Sequence, residues 1–261
     1  MRKLMLFLDF DGTLSPIVKN PEEAVIKDKV KGWLKRLSED KNNKIAIVTG
    51  RSLKDIIKKV GLKDVIYASN HGMEVYYGGR FLLRKATDIR RPLKRLEREL
   101  TIKLSGIPDI FIENKGLSLA VHLRRVENQY HKEVKRIVNI TVESWLKRYK
   151  LQLTGGKMLI EVRPLSWDKG KAVLWIWKRL APKHLPVYVG DDVTDEDAFS
   201  ALKPYGITIR IGRWRKSNAE YSVSSIEKLM AEMTLKPRTL PSARLSPPAS
   251  LWPILTPLSE E

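Results

Sequence analysis

The sequence predicts an α/β protein whose parallel-sheet core is interrupted by an α+β insert. Over residues 1–83, short apolar runs alternate with amphipathic helical stretches, the pattern of parallel strands joined by crossover helices. Between residues 84 and 165 this alternation gives way to paired strands with tight Gly-containing connections and two longer helices. The first pattern returns over residues 166–235, so the middle segment reads as an insertion into one core.

Taken in order, Leu4–Leu8 is an unbroken apolar run, as expected of a strand buried on both faces of a parallel sheet. It ends in Asp9-Phe10-Asp11, with Gly12 and Thr13 directly behind. Pro16 and Pro21 mark a loop, and Val30, Trp33, Leu34 and Leu37 then fall at helical spacing. Lys44–Val48 is a second buried strand, ending in Thr49-Gly50-Arg51. Ser52 is a suitable N-cap for a helix whose apolar face is Leu53, Ile56, Ile57 and Val60. Val65–Ala68 is a third strand, followed by Asn70-His71-Gly72. Met73–Tyr77 and Arg80–Leu83 flank Gly78-Gly79, a strong hairpin signal.

In the insert, Ile89, Leu93, Leu96, Leu100 and Leu104 line one helix, with Pro92 tolerated in its first turn. Strands Ile110–Glu113 and Leu117–Leu123 meet at Asn114-Lys115-Gly116. A long helix carrying Val134, Val138, Val142 and Trp145 precedes strands Leu151–Thr154 and Met158–Val162. Beyond the insert, helix Lys169–Leu180 leads to strand Pro186–Val189, which ends in Gly190-Asp191-Asp192. A short helix over Glu196–Leu202, strand Ile207–Ile211 and a helix near Ser225–Met233 follow. Residues 236–261 are rich in Pro and Ser without periodicity and read as a poorly ordered tail.

The 261 residues, 43% of them apolar, suffice for one large domain or two modest ones. The absence of cysteine excludes disulfides and thiolate metal sites and suits a reducing cytoplasm. No apolar run reaches the length of a membrane span and no signal-peptide pattern is visible, so a cytoplasmic protein without membrane contact is expected. The net charge of +19 invites a nucleic-acid partner. The basic residues are spread along helices, however, and no nucleic-acid-binding signature accompanies them, so the solvated-surface reading is preferred.

Four strand or helix ends carry polar groups: Asp9-x-Asp11, Thr49-Gly50-Arg51, Lys169, and Gly190-Asp191-Asp192 with Asp195 beyond. The carboxyl ends of parallel strands share one sheet edge, where ligands bind. Carboxylates gathered there are costly to hold without a cation between them. Such a set suits phosphoryl transfer, in which catalysis is mainly positioning and charge stabilisation. One carboxylate attacks phosphorus, a second moves the proton, and oxygen ligands around a small hard cation indicate Mg²⁺.

These residues resemble the haloacid-dehalogenase-like (HAD) phosphatases, through LFLDFDGT at Leu6–Thr13, Val48-Thr49-Gly50-Arg51, Lys169 in WDKGKA, and GDDVTDEDAF at Gly190–Phe199. More closely, DFDGTLSPIV, VTGRS, NHGMEV, LAVHLR and LIEVRP look like the trehalose-6-phosphate phosphatase family. The resemblance implies a Rossmann-like core with an inserted cap, and hydrolysis of trehalose 6-phosphate through an aspartyl-phosphate. It implies that Asp9 is nucleophile and metal ligand, and that Asp11 is general acid/base with its carbonyl on the metal. Asp191 would complete the Mg²⁺ ligands, with Asp192 and Asp195 nearby. Gly12, Thr49, Gly50, Arg51 and Lys169 would receive the phosphoryl group. Glu113, Lys115, His122, Arg124 and Glu161 are the cap candidates for sugar binding, joined by Asn70 and His71 at the end of a core strand. The same site would serve sucrose-phosphate, mannosyl-phosphoglycerate or glucosylglycerol-phosphate, or a phosphomannomutase reaction. A trehalose-phosphate synthase partner is a further expectation.

Overall fold

The computed structural model describes residues 3–18, 20–156, 158–212, 216–235 and 256–257. β1 (Leu4–Leu8) has a parallel partner on each edge, and Met5, Leu6, Phe7 and Leu8 are fully buried, so its apolar run serves both sheet faces. Then come β2 (Asn43–Val48), β3 (Ile66–Ser69), β4 (Glu74–Tyr77) and β5 (Arg80–Arg84). The insert holds β6 (Phe111–Asn114), β7 (Leu119–His122), β8 (Leu151–Gly156) and β9 (Leu159–Pro164). After it follow β10 (Leu185–Gly190), β11 (Ile207–Ile211), β12 (Tyr221–Val223) and β13 (Thr256–Pro257). The helices are α1 (Asp28–Glu39), α2 (Leu53–Val60), α3 (Arg90–Lys103), α4 (Asn128–Tyr149), α5 (Lys169–Leu180), α6 (Glu196–Leu202) and α7 (Ile226–Leu235).

The chain divides into two compact units, Met1–Leu82 with Asp168–Glu261, and Leu83–Trp167. In the first, the strand order is β13-β12-β11-β10-β1-β2-β3-β4-β5. The strands from β12 to β3 are parallel, whereas β4 and β13 are antiparallel to their neighbours. The chain moves outward from β1 through β2 to β3, then returns to lay β10 on the other side of β1. Strand order therefore reverses between β1 and β10, which opens a crevice beyond their carboxyl ends. Leu6, Leu8, Ile45, Ile47, Val187, Val189 and Ile209 join Trp33 and Leu34 of α1 and Ile56 and Val60 of α2 in one core cluster.

The second unit is a four-stranded antiparallel sheet, β6-β7-β9-β8, with α3 and α4 packed on one another and against β6 and β8. The register sets Glu113 opposite Ala120 and Ala120 opposite Glu161. Cross-strand partners share a face, so Glu113, His122, Glu161 and Arg163 line one side by the period of two. Leu119, Val121 and Val162, of opposite parity, are buried apolar positions of the other side.

Two differences from the sequence-based expectations concern edges. β12 escapes sequence reading because three residues after an irregular loop are too short to show alternation. The tail expected to be poorly ordered lies outside the described residues, save Thr256–Pro257, which pairs antiparallel with β12. That pairing uses main-chain groups and needs no apolar pattern.

Candidate active site

The site is built at the β1/β10 crevice. Asp9 follows β1 directly and Asp191 follows β10, and both strands are held in register by buried apolar side chains. Asp168 caps α5, accepting a 2.8 Å hydrogen bond from the Lys171 amide, and this places Lys169 at the first helical position. Lys169, 3% exposed, donates to Asp9 Oδ1 at 2.8 Å and to Asp195 Oδ1 at 2.7 Å. Groups separated by 160 residues in sequence thus meet inside the core.

Asp195 organises the loop. Its Oδ1 also accepts from the Tyr188 hydroxyl at 2.6 Å, and its Oδ2 accepts the main-chain amides of Asp191 and Asp192, both at 2.9 Å. Four donors on two oxygens leave it little capacity as a ligand, so its carboxylate fixes the Gly190-Asp191-Asp192 loop instead. Tyr188 is aligned for this by its register opposite Phe7 and by an edge contact with Phe199.

Asp191 Oδ1 accepts from Thr13 Oγ1 at 2.9 Å. Gly12 has φ +85°, and a Cβ there would lie 2.0 Å from Asp191 Oδ2. The Asp191 carboxylate therefore occupies the space that a side chain at position 12 would fill. Oxygen atoms of Asp9, Asp191 and Asp195 lie within 4.8 Å of one another. Three carboxylates face one ammonium, an excess of two negative charges when all are ionised.

The electrostatics report that imbalance. Burial first, then the Asp195 charge, push the Asp9 carboxyl well above the usual range, with Lys169 opposing and Asp191 adding to the rise. Burial and Asp195 push Asp191 up to about 7, against the Thr13 hydrogen bond. Burial opposes the charge of Lys169, but Asp195 and Asp9 outweigh it and hold the ammonium above its ordinary value. Asp9 Oδ2 and Asp191 Oδ2 accept no hydrogen bond from any described residue. The donor set, two hard oxygens beside excess negative charge, fits a divalent cation.

The other core candidates are placed as follows. Thr49 is buried at the end of β2, and its Oγ1 accepts the Arg51 amide at 3.2 Å. A Cβ on Gly50 would lie 2.7 Å from His71 Cε1, so the imidazole packs directly on the Thr49–Arg51 turn. Asn70 and His71 both hold left-handed backbone, with φ 50° and 56°, and their amides bond the carbonyls of Arg51 and Thr49. Asn70 Nδ2 donates to Glu74, while its Oδ1 and Ser69 Oγ are buried without a hydrogen-bond partner among the described residues. Arg51 is turned onto Asp11, bonding both of its carboxylate oxygens. Asp192 caps the short turn that contains Asp195.

In the second unit, Glu161 is buried and accepts from Lys115 Nζ at 3.1 Å and Ser118 Oγ at 2.8 Å. His122 Nε2 lies 3.0 Å from Glu113 Oε2. Arg124, half-buried, follows the end of β7. Sequence reasoning missed Tyr188, Ser118 and Asp55. Nothing marks a tyrosine inside an apolar strand as a donor, but Ser118 shares the parity of Ala120, and Asp55 lies four residues after Arg51.

A doubly wound core with aspartates at the ends of two adjacent strands and a lysine bonded to the first of them defines a haloacid-dehalogenase-like fold. A haloacid dehalogenase-like hydrolase from Bacteroides thetaiotaomicron shares it, with a TM-score of 0.61 at 13% identity over 89% of this chain and 100% of that one. The trehalose-phosphatase family model matches residues 7–228, and the chain belongs to that family. Trehalose-phosphate phosphatase B of Arabidopsis thaliana is 32% identical over 253 residues, 89% of this chain and 66% of that protein. The trehalose-phosphate phosphatase of Mycobacterium tuberculosis is 38% identical over 216 residues, 80% of this chain and 54% of that protein. The chain thus spans about two thirds of the plant relative and about half of the mycobacterial one. The C-terminal domain of Candida albicans trehalose-6-phosphate phosphatase superposes with a TM-score of 0.76 at 25% identity, covering 90% of this chain and 91% of that one. Among the described residues, no helix is long and apolar enough to cross a membrane.

Proposed function

We propose that this chain is a Mg²⁺-dependent phosphomonoesterase that hydrolyses trehalose 6-phosphate to trehalose and phosphate. The observation that supports it most is Lys169 bridging Asp9 and Asp195 beside the Asp191 carboxylate, in a member of the trehalose-phosphatase family. Asp9, Asp191 and the Asp11 carbonyl would hold Mg²⁺, whose charge when bound would offset that of the phosphate. An Asp9 oxygen attacks phosphorus as the bond from phosphorus to the sugar oxygen breaks, and Asp11 gives its proton to that oxygen. Asp11 then takes a proton from the water that attacks the phospho-aspartate, and the bond to Asp9 breaks. Thr49 and Lys169 orient the phosphoryl oxygens. Glu113, Lys115, His122, Arg124 and Glu161 are the sugar-recognising set, with Asn70 and His71. A trehalose-phosphate synthase is the proposed partner and the cytoplasm the proposed setting.

The test is phosphate release from a panel of trehalose 6-phosphate, sucrose 6-phosphate, mannosyl-3-phosphoglycerate, glucosylglycerol phosphate and mannose 6-phosphate, with and without EDTA. The expected result is preference for trehalose 6-phosphate, loss with EDTA, and loss in Asp9→Asn with the circular dichroism spectrum unchanged. Preference for another ester would move the assignment within the superfamily, and turnover surviving Asp9→Asn would end it.

A further inference from the structure

Arg51 sits where the Thr-Gly-Arg turn leaves β2, and its side chain is only 10% exposed. Its Nε donates to Asp11 Oδ2 at 2.7 Å and its Nη2 to Asp11 Oδ1 at 2.6 Å, a two-pronged pair. Nη2 also donates to the Pro21 carbonyl at 3.0 Å, and Nη1 to Asp55 Oδ2 at 2.6 Å. The guanidinium carbon lies 5.0 Å from the centroid of the Phe10 ring. Four bonds draw on all three guanidinium nitrogens, and a planar ring covers one face. Asp55, in the first turn of α2, is itself placed by Ser52, whose hydroxyl accepts the Asp55 amide at 3.3 Å.

Such a side chain is fixed, and what it fixes is a carboxylate that is 44% exposed. An exposed carboxylate samples several rotamers, whereas a rigid fork with both prongs engaged selects one. We infer that Arg51 is a positioning residue: with Asp55 behind it, it orients the Asp11 carboxylate for proton transfer and takes no part in holding the phosphoryl group. The inference rests on the phosphatase reading and departs from the resemblance-based expectation that Arg51 binds phosphate.

The two roles separate on leaving groups. Sugar oxygens leave poorly without a proton, whereas p-nitrophenolate leaves readily without one. kcat/KM reports only the steps through release of that group, so the later hydrolysis of the phospho-aspartate does not mask the difference. In Arg51→Lys, kcat/KM for trehalose 6-phosphate should fall by about 10- to 100-fold, part of the 10²–10⁴ that general acid catalysis supplies. For p-nitrophenyl phosphate the fall should stay below about threefold, and the inhibition constant of inorganic phosphate should change by less than about threefold. In an Asp11→Asn background, Arg51→Lys should add no further loss.

Equal losses on both esters, or a matching rise in the phosphate inhibition constant, would overturn the inference and return Arg51 to the phosphate. If Arg51→Lys does not fold, Asp55→Asn, which loosens the fork while leaving it in place, answers the same comparison. Failure of the wild-type chain to hydrolyse either ester would instead count against the phosphatase reading.

Discussion

Gly12→Ala probes how the two halves of the site are fitted together. The new methyl group would lie 2.0 Å from Asp191 Oδ2, 2.4 Å from its Cγ and 2.6 Å from its Oδ1, all far inside van der Waals contact. The backbone there holds φ +85°, which costs a side-chain-bearing residue about 1–2 kcal/mol. The main chain of Asp191 is anchored by Asp195 and by Arg210, so the carboxylate must swing away and break the Thr13 hydrogen bond. A lost bond to an ionised group adds about 1.5–3 kcal/mol, for a total of about 2.5–5 kcal/mol. Gly79→Ala is the control: φ is +81° there and nothing lies within 4 Å of the added carbon, so only the conformational cost of about 1–2 kcal/mol applies. Urea unfolding for the stability loss, and thermal unfolding with and without Mg²⁺, separate the two. The position-12 variant should lose most of the Mg²⁺-induced rise in Tm and about 100-fold in turnover, in keeping with an ångström-scale misplacement, while the position-79 variant should keep both. A Gly12→Ala protein that loses no more stability than Gly79→Ala, with a wild-type Mg²⁺ response, would refute the fitted arrangement.

Lys169→Met should lower stability at neutral pH by about 3–5 kcal/mol, because it leaves two buried carboxylates without their cation, and it should abolish turnover; denaturant titration checks the first. The proton competes with the metal for the Asp191 carboxylate, raised to about 7, so the Mg²⁺-induced rise in Tm should shrink as pH falls through 7. The same raised value means that the metal-free fold favours the protonated form: stability after EDTA should decline as pH rises from the unfolded value of about 4 towards 7. Rising stability over that interval would contradict the charge excess. Glu161→Gln should raise KM or lower kcat for the disaccharide ester while sparing p-nitrophenyl phosphate, because it weakens the acceptor shared by Lys115 and Ser118. Equal losses on both substrates would remove Glu161 from the sugar-recognising set.

What the sequence reveals follows from how locally each feature is encoded. Apolar runs that stop at Asp9 and Asp191 announce buried strands ending at one sheet edge, and Asp168 announces the start of the helix that aims Lys169. The destination of long side chains is not local. Arg51 reads as a phosphate ligand by motif, but the Asp11 carboxylate and the Pro21 carbonyl that engage it come from a separate stretch of chain. Asp195 resembles a helix cap in sequence, and only folding reveals that it gathers a lysine, a tyrosine and two amides at once. The left-handed backbone at Asn70 and His71 is likewise invisible beforehand, since neither residue requires it.

The reversal of strand order has a consequence for synthesis. The ribosome delivers Asp9 before the insert, whereas Lys169 and Asp191 emerge only after it. A nascent chain halted within that insert presents β1 with one bare edge, an apolar strand open to pairing with a stranger. The segment that follows the insert therefore both completes the chemistry and, through β10, closes the open edge of β1.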